Sequence, residues 1–147
     1  MAVIVVAVVV VLVALGVWIK SRRNRRLLEE HTITPDGLHT LLTSSQEVLI
    51  FDVRQPLDLL ADSEVILGAK RLDPEEVMEN PSLIPKEKEA VVYCTCPSDE
   101  TARRILHQAL RLNFLRVRFL RGGLAAWKAK GYPVEPYTKP FHLDTLG

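Results

Sequence analysis

Cysteine is scarce in this chain: two in 147 residues, Cys94 and Cys96, separated by a single residue. Such a pair cannot frame a secreted disulfide fold, and it suits a reducing compartment. It is also too small for a zinc site unless His31, His39, His107 or His142 joins it, and none of these stands at ligand spacing. No metal and no cofactor is therefore expected. Acidic residues are missing before Glu29, and the first nineteen residues carry no charged side chain at all. A basic excess is missing too. Of 19 basic groups, five (Lys20, Arg22, Arg23, Arg25 and Arg26) precede residue 27, which leaves 14 against all 18 acidic groups and a net of −4 for residues 27–147. That balance argues against a nucleic-acid partner, which would require a basic face. There is no internal repeat, and beyond the apolar N-terminus no low-complexity segment.

What is present first is a hydrophobic run. Ala2 to Ile19 is 18 uncharged, valine-rich residues, about 27 Å as a helix against a hydrocarbon core of roughly 30 Å. The cations follow it at once, so the positive-inside rule places the N-terminus outside and residues 20–147 in the cytoplasm. A cleaved signal peptide is the competing reading, and Ala14-Leu15-Gly16 is weakly cleavage-like. The charges, however, lie on the wrong flank, and the run exceeds a usual signal core. We therefore expect a transmembrane helix at 2–19, seated in a lipid bilayer at the cell membrane. A basic juxtamembrane linker follows at 20–32, then a folded domain at 33–137 and a tail at 138–147.

The folded part alternates strand and helix signals. Thr34-Pro35-Asp36 starts a short helix with a cap, a proline at its first position and an acid in its first turn. Ser44-Ser45 ends it. Val48-Leu49-Ile50-Phe51 has the continuous apolar character of a strand covered on both faces, and Asp52-Val53-Arg54 closes it. A polar, irregular stretch leads to Val65-Ile66-Leu67-Gly68-Ala69. Asp73 and Glu76 have the spacing of a capping box, and Pro81 and Pro85 bound a loop. Ala90 to Tyr93 is a strand, a helix runs to about Leu112, and Val117 to Leu120 is the next strand. Gly122-Gly123 turns into a helix bearing Leu124 and Trp127, which Gly131 and Pro133 stop. From Glu135 onward the chain reads as irregular. The alternation implies an α/β fold with a mostly parallel sheet and helices on both faces, preceded by one transmembrane helix.

The stretch with chemistry begins at Cys94. A strand ends there, a compact loop of Thr95, Cys96, Pro97, Ser98, Asp99, Glu100 and Thr101 follows, and a helix opens with Ala102, Ile105, Leu106, Ala109 and Leu110 on one face. Loop N–H groups gathered at a helix N-terminus favour a thiolate or a bound anion. The carboxyl end of a parallel strand is where open α/β sheets hold ligands. Cys94 is accordingly the candidate nucleophile, with Cys96 as the alternative. Cys96 reads equally as a resolving thiol for Cys94 and as a small packing residue. Asp52 and Arg54 read as a supporting hydrogen-bonded pair, Tyr93 and Trp127 as core, and His107 as a helix residue without a role.

Asp52-Val53-Arg54, Gly68-Ala69, Tyr93-Cys94 and Gly122-Gly123-Leu124-Ala125-Ala126-Trp127 with Gly131-Tyr132-Pro133-Val134 together resemble a single rhodanese domain, from about residue 33 to 137. The resemblance implies a small α/β domain whose catalytic cysteine, at Cys94, accepts a sulfane sulfur from thiosulfate or a persulfide and passes it to a thiol or cyanide. Its partners would be that small donor, a thiol acceptor and, through the anchor, a membrane protein. The departures are specific. The family's sulfurtransferase loops typically run six residues, often with glycine inside and arginine at the end. Counting Cys94 to Glu100 gives seven, a length associated with phosphatase and arsenate-reductase branches, yet no arginine lies within it. Asp99 and Glu100 instead oppose a thiolate and repel a dianion, which disfavours phosphate-ester hydrolysis. Arg103, or Arg104 beside it, could offset them by folding back over the loop. Val65 stands where many members carry histidine. A catalytically weak interaction module and a thiol redox sensor at the membrane therefore remain as alternatives to a sulfurtransferase.

Overall fold

In a computed structural model, which describes residues 1–95, 100–114 and 116–139, the chain divides into two units, Met1–His31 and the rest. The first is one helix, α1 (Ala2–Glu30), none of whose residues is buried. Its 29 residues span about 43 Å at the usual rise. The expected basic linker is thus helical as far as Glu30, because nothing between Lys20 and Glu30 breaks a helix. The guanidinium of Arg22 lies over the Trp18 ring, 4.0 Å from its centre.

The second unit begins with β1 (Thr32–Ile33) and α2 (Pro35–Thr43). Thr34 caps α2, its hydroxyl accepting from the Gly37 N–H at 3.1 Å. Then follow β2 (Val48–Asp52), α3 (Pro56–Ala61), β3 (Glu64–Ile66), β4 (Lys70–Arg71) and α4 (Pro74–Glu79). The carboxylate of Asp73 caps α4 by accepting from the N–H groups of Glu75 and Glu76. The chain continues through β5 (Glu89–Tyr93), α5 (Glu100–Arg111), β6 (Val117–Leu120), α6 (Gly123–Ala129) and β7 (Val134–Pro136).

Five strands form a parallel sheet in the order β1-β6-β5-β2-β4. One face packs Ile33, Ile50, Val91, Tyr93 and Leu120 against Leu38 of α2 and Leu124 and Trp127 of α6. Strand alternation sends Phe51, Val92 and Phe119 to the other face, where α5 meets β6 and α4. The α/β expectation of a parallel sheet with helices on both faces therefore holds. Two segments depart from it. The stretch after Arg54 is not irregular but holds α3, a helix too short to show a periodic pattern, with only Leu59 buried. The chain beyond Pro133 is not wholly irregular either, since β7 pairs antiparallel with β3.

The strand order has one consequence for function. From β2 the chain moves outward to β4, whereas from β5 it moves the opposite way to β6. Connections therefore diverge between β2 and β5, and they open a crevice at the carboxyl ends of those two neighbours.

Candidate active site

Both strands that flank the crevice are held in register through their last residues. Asp52 is paired with Tyr93, and the Val53 N–H donates to the Tyr93 carbonyl at 3.0 Å. Cys94 follows directly and is 1% exposed. Thr95 comes next, half-buried, and its Oγ1 has no hydrogen-bond partner among the described residues. Of the other expected loop residues, Cys96, Pro97, Ser98 and Asp99 lie outside the described residues. Glu100 and Thr101 are backbone positions in the first turn of α5. Arg103 is exposed on that helix.

Tyr93, the residue before Cys94, belongs to a buried polar network. The Arg54 guanidinium donates to the Asp52 carboxylate from Nε and, at 2.6 Å, from Nη2. Nη1 and Nη2 also donate to the carbonyls of Asp62 and Glu64, each at 2.8 Å. Both side chains are fully enclosed. Burial works against the charge of Arg54, but the hydrogen bonds and charge of Asp52 outweigh it, and its pKa stands above the ordinary arginine value. The Tyr93 hydroxyl donates to Asp52 Oδ2 at 3.2 Å and accepts from the Ile66 N–H at 3.1 Å. Burial, and then the charge of Asp52, push its pKa far up, so it stays a neutral donor. Every partner is thereby satisfied, which makes this unit a brace tying the ends of β2 and β5 to α3 and β3.

Backbone at the start of α6 also reaches Cys94. Gly122 and Gly123 both have positive φ, and the Leu124 N–H at the start of α6 lies 3.4 Å from the Cys94 carbonyl. A Cβ on Gly123 would sit 1.9 Å from that oxygen. The diglycine therefore allows the α6 turn to touch the cysteine's own peptide. From sequence the two glycines read only as a tight turn; their approach to Cys94 joins residues 29 apart and has no local signal. The Tyr93 hydroxyl's two partners, 27 and 41 residues away, likewise have no local signal.

Among the described residues no cluster of histidine, cysteine or carboxylate side chains could hold a metal. What the site offers is an enclosed thiol at a strand end, a rigid brace and a helix turn against its carbonyl. The Cys94 thiol is the group here that could, as its thiolate, attack sulfur.

Comparison with known proteins agrees with the fold. Residues 34–130 match the family model described as rhodanese-like domain. A sulfurtransferase of Allochromatium vinosum is 28% identical over 102 residues, covering 69% of this chain and 92% of that protein. Among solved structures, the Alr3790 protein of Anabaena aligns with a TM-score of 0.60 at 28% identity, over 71% of this chain and 82% of its own. A thiosulfate sulfurtransferase of Pseudomonas aeruginosa aligns with a TM-score of 0.56 at 25% identity; there the match covers 71% of this chain but 19% of the other.

Proposed function

The chain belongs to the rhodanese-like family, and from that premise we propose that it is a membrane-tethered sulfurtransferase working through a persulfide on Cys94. The observation that carries the reading is the place of Cys94, buried at the end of β5 beside the crevice where the sheet's connections diverge. The sulfurtransferase of Allochromatium vinosum adds support at the level of the family.

The chemistry needs no cofactor. The Cys94 thiolate attacks the outer sulfur of thiosulfate, the S–S bond of the donor breaks, and its electron pair leaves on sulfite. Cys94 then carries a persulfide anion. A thiolate or cyanide next attacks the terminal sulfur, and the bond between the two sulfurs returns its pair to Cys94. The product is a new persulfide or thiocyanate. N–H groups of the segment after Cys94 would stabilise both the thiolate and the persulfide. Asp52, Arg54 and Tyr93 hold the strand end in place and do not enter the reaction.

We place the anchor in the bilayer with the N-terminus outside and the domain cytoplasmic. The apolar window of α1 has a mean hydropathy of 3.2. The cluster from Lys20 to Arg26 follows the apolar run directly, and the Trp18–Arg22 pair has the composition of a membrane–water boundary.

Intact-mass measurement on the full chain in detergent tests the activity. Incubation with thiosulfate or a persulfide donor should add one sulfur, about 32 Da, reversibly by thiol and not in Cys94→Ser. No adduct from any donor would overturn the sulfurtransferase reading in favour of an interaction module. An adduct lost only in Cys96→Ser would move the nucleophile to Cys96. Release of the chain from membranes by alkaline carbonate would refute the anchor.

A further inference from the structure

A second recess opens at the same end of the sheet. It is a crevice of about 260 Å³ lined by Gln55, Pro74, Glu75, Met78, Glu79 and Arg104. Topology explains its place. Gln55 follows the Asp52–Arg54 brace at the end of β2. Pro74 and Glu75 open α4 directly after β4, whose last residue pairs with Asp52. Arg104 lies on α5, the helix that leads away from Cys94. All three segments therefore emerge from the carboxyl edge on which Cys94 sits. Glu75 and Glu79 are four residues apart, hence on one face of α4.

The charges are of both signs and are not spent on one another. Among the described residues, the side chains of Glu75, Glu79 and Arg104 make no ion pair or hydrogen bond. Two carboxylates against one guanidinium disfavour a dianion such as thiosulfate. They suit a ligand with an ammonium and a carboxylate together. The volume falls below the roughly 300–1,000 Å³ of pockets for drug-sized ligands, so a ligand of amino-acid size fits best. Met78 adds a polarisable apolar wall suited to a short methylene–sulfur chain.

We propose that this crevice is the acceptor subsite, and that it selects a small zwitterionic thiol of the cysteine type. Glu75 and Glu79 take the ammonium, and Arg104 takes the carboxylate as a two-pronged donor. The proposal rests on the sulfurtransferase reading. In the transfer, the acceptor thiolate attacks the terminal sulfur of the Cys94 persulfide. The Cys94 S–S bond breaks, its pair stays on Cys94, and the acceptor leaves as its own persulfide, with no outside oxidant or reductant.

The test uses the full chain in detergent, loaded with persulfide, and three acceptors. These are cysteine, cysteamine (no carboxylate) and 3-mercaptopropionate (no ammonium). Ratios of second-order rate constants within each variant cancel intrinsic thiol reactivity and any general loss of folding. Arg104→Met should reduce the cysteine-to-cysteamine ratio about tenfold, and Glu75→Gln with Glu79→Gln the cysteine-to-mercaptopropionate ratio by about the same factor. Ratios equal to the parent's in both variants would overturn the subsite while leaving sulfur transfer intact. S-methylcysteine, which cannot react, separates the two ideas. Its binding, followed by calorimetry and lost in the Glu75/Glu79 double variant, supports the crevice even if no persulfide ever forms. Absence of binding to the parent chain overturns it.

Discussion

Gly123→Ala isolates the contact between α6 and Cys94. The new Cβ would stand 1.9 Å from the Cys94 carbonyl oxygen and 3.1 Å from its carbon. Even to reach 3.0 Å, a separation real Cβ atoms barely tolerate, one backbone segment must retreat by about 1 Å. Neither can do so alone, because Cys94 continues a central strand and Leu124 and Trp127 are buried in the core. Forced packing of this kind costs about 1–3 kcal/mol. The left-handed φ of +56° adds about 1–2 kcal/mol for a residue with a side chain, less about 0.4–1 kcal/mol regained by restricting the unfolded chain. The total is about 1–5 kcal/mol. Gly68→Ala is the matched control, with a φ of +81° and nothing within 4 Å of its Cβ, so only the conformational part applies, about 0–1.6 kcal/mol. Urea unfolding of the full chain in detergent, followed by fluorescence of the buried Trp127, gives both values. Persulfide formation on the folded variants gives the second readout, which should fall for Gly123→Ala and persist for Gly68→Ala. Equal destabilisation of the two variants, with equal sulfur loading, would refute the close approach as a determinant of the site.

Two further outcomes follow from the polar groups. Arg54→Ala leaves the Asp52 carboxylate buried without its cation and the Asp62 and Glu64 carbonyls without their donor. It should cost about 3–5 kcal/mol in the same unfolding assay, and a loss under about 1 kcal/mol would show that the brace is dispensable. On the surface, Asp36 accepts from the Tyr132 hydroxyl at 2.5 Å and from Lys130 at 2.9 Å. Those bonds, Tyr132 first, hold its pKa below the ordinary 3.8. A lowered folded-state value means stability that is present above pH 3.8 and lost as the pH falls through the folded value. Acid unfolding profiles should therefore flatten in that range in Asp36→Asn, and coincident profiles for variant and parent would exclude a contribution from this cluster.

Much of the architecture was legible because its signals are local. The apolar strands at Val48 and Ala90, the Thr34 and Asp73 caps, and the Gly122-Gly123 and Gly131-x-Pro133 stops each depend on a few neighbouring residues. They gave the alternation of the fold, while Asp52-Val53-Arg54, Gly68-Ala69, Tyr93-Cys94 and the stretch from Gly122 to Val134 marked the family. A hydrophobic run of 18 residues ahead of five cations likewise needs no partner to be recognised. Elements that owe their existence to distant contacts were not legible. Helix α3 is tied down where Arg54 holds the Asp62 carbonyl and Lys128 pairs with the Asp62 side chain at 2.9 Å. Strand β7 exists because β3 offers it an edge. The Lys128–Asp62 pair and the β3–β7 ladder cross some seventy residues of sequence, so composition and periodicity near Pro56 or Glu135 carry no trace of them.

The same division runs through the site. Sequence alone marked out one cysteine at a strand end and named Asp52 and Arg54 as its neighbours, since a strand's end and a D-x-R spacing are local properties. Only the tertiary structure decided what those residues touch. It turned Asp52, Arg54 and Tyr93 into one enclosed network, set the peptide of Gly123 against that of Cys94, and gathered Gln55, Glu75, Glu79 and Arg104 around one crevice. The physical reason is the strand order: parallel strands need crossovers, and the divergence of those crossovers between β2 and β5 brings chain segments some fifty residues apart to one edge of the sheet.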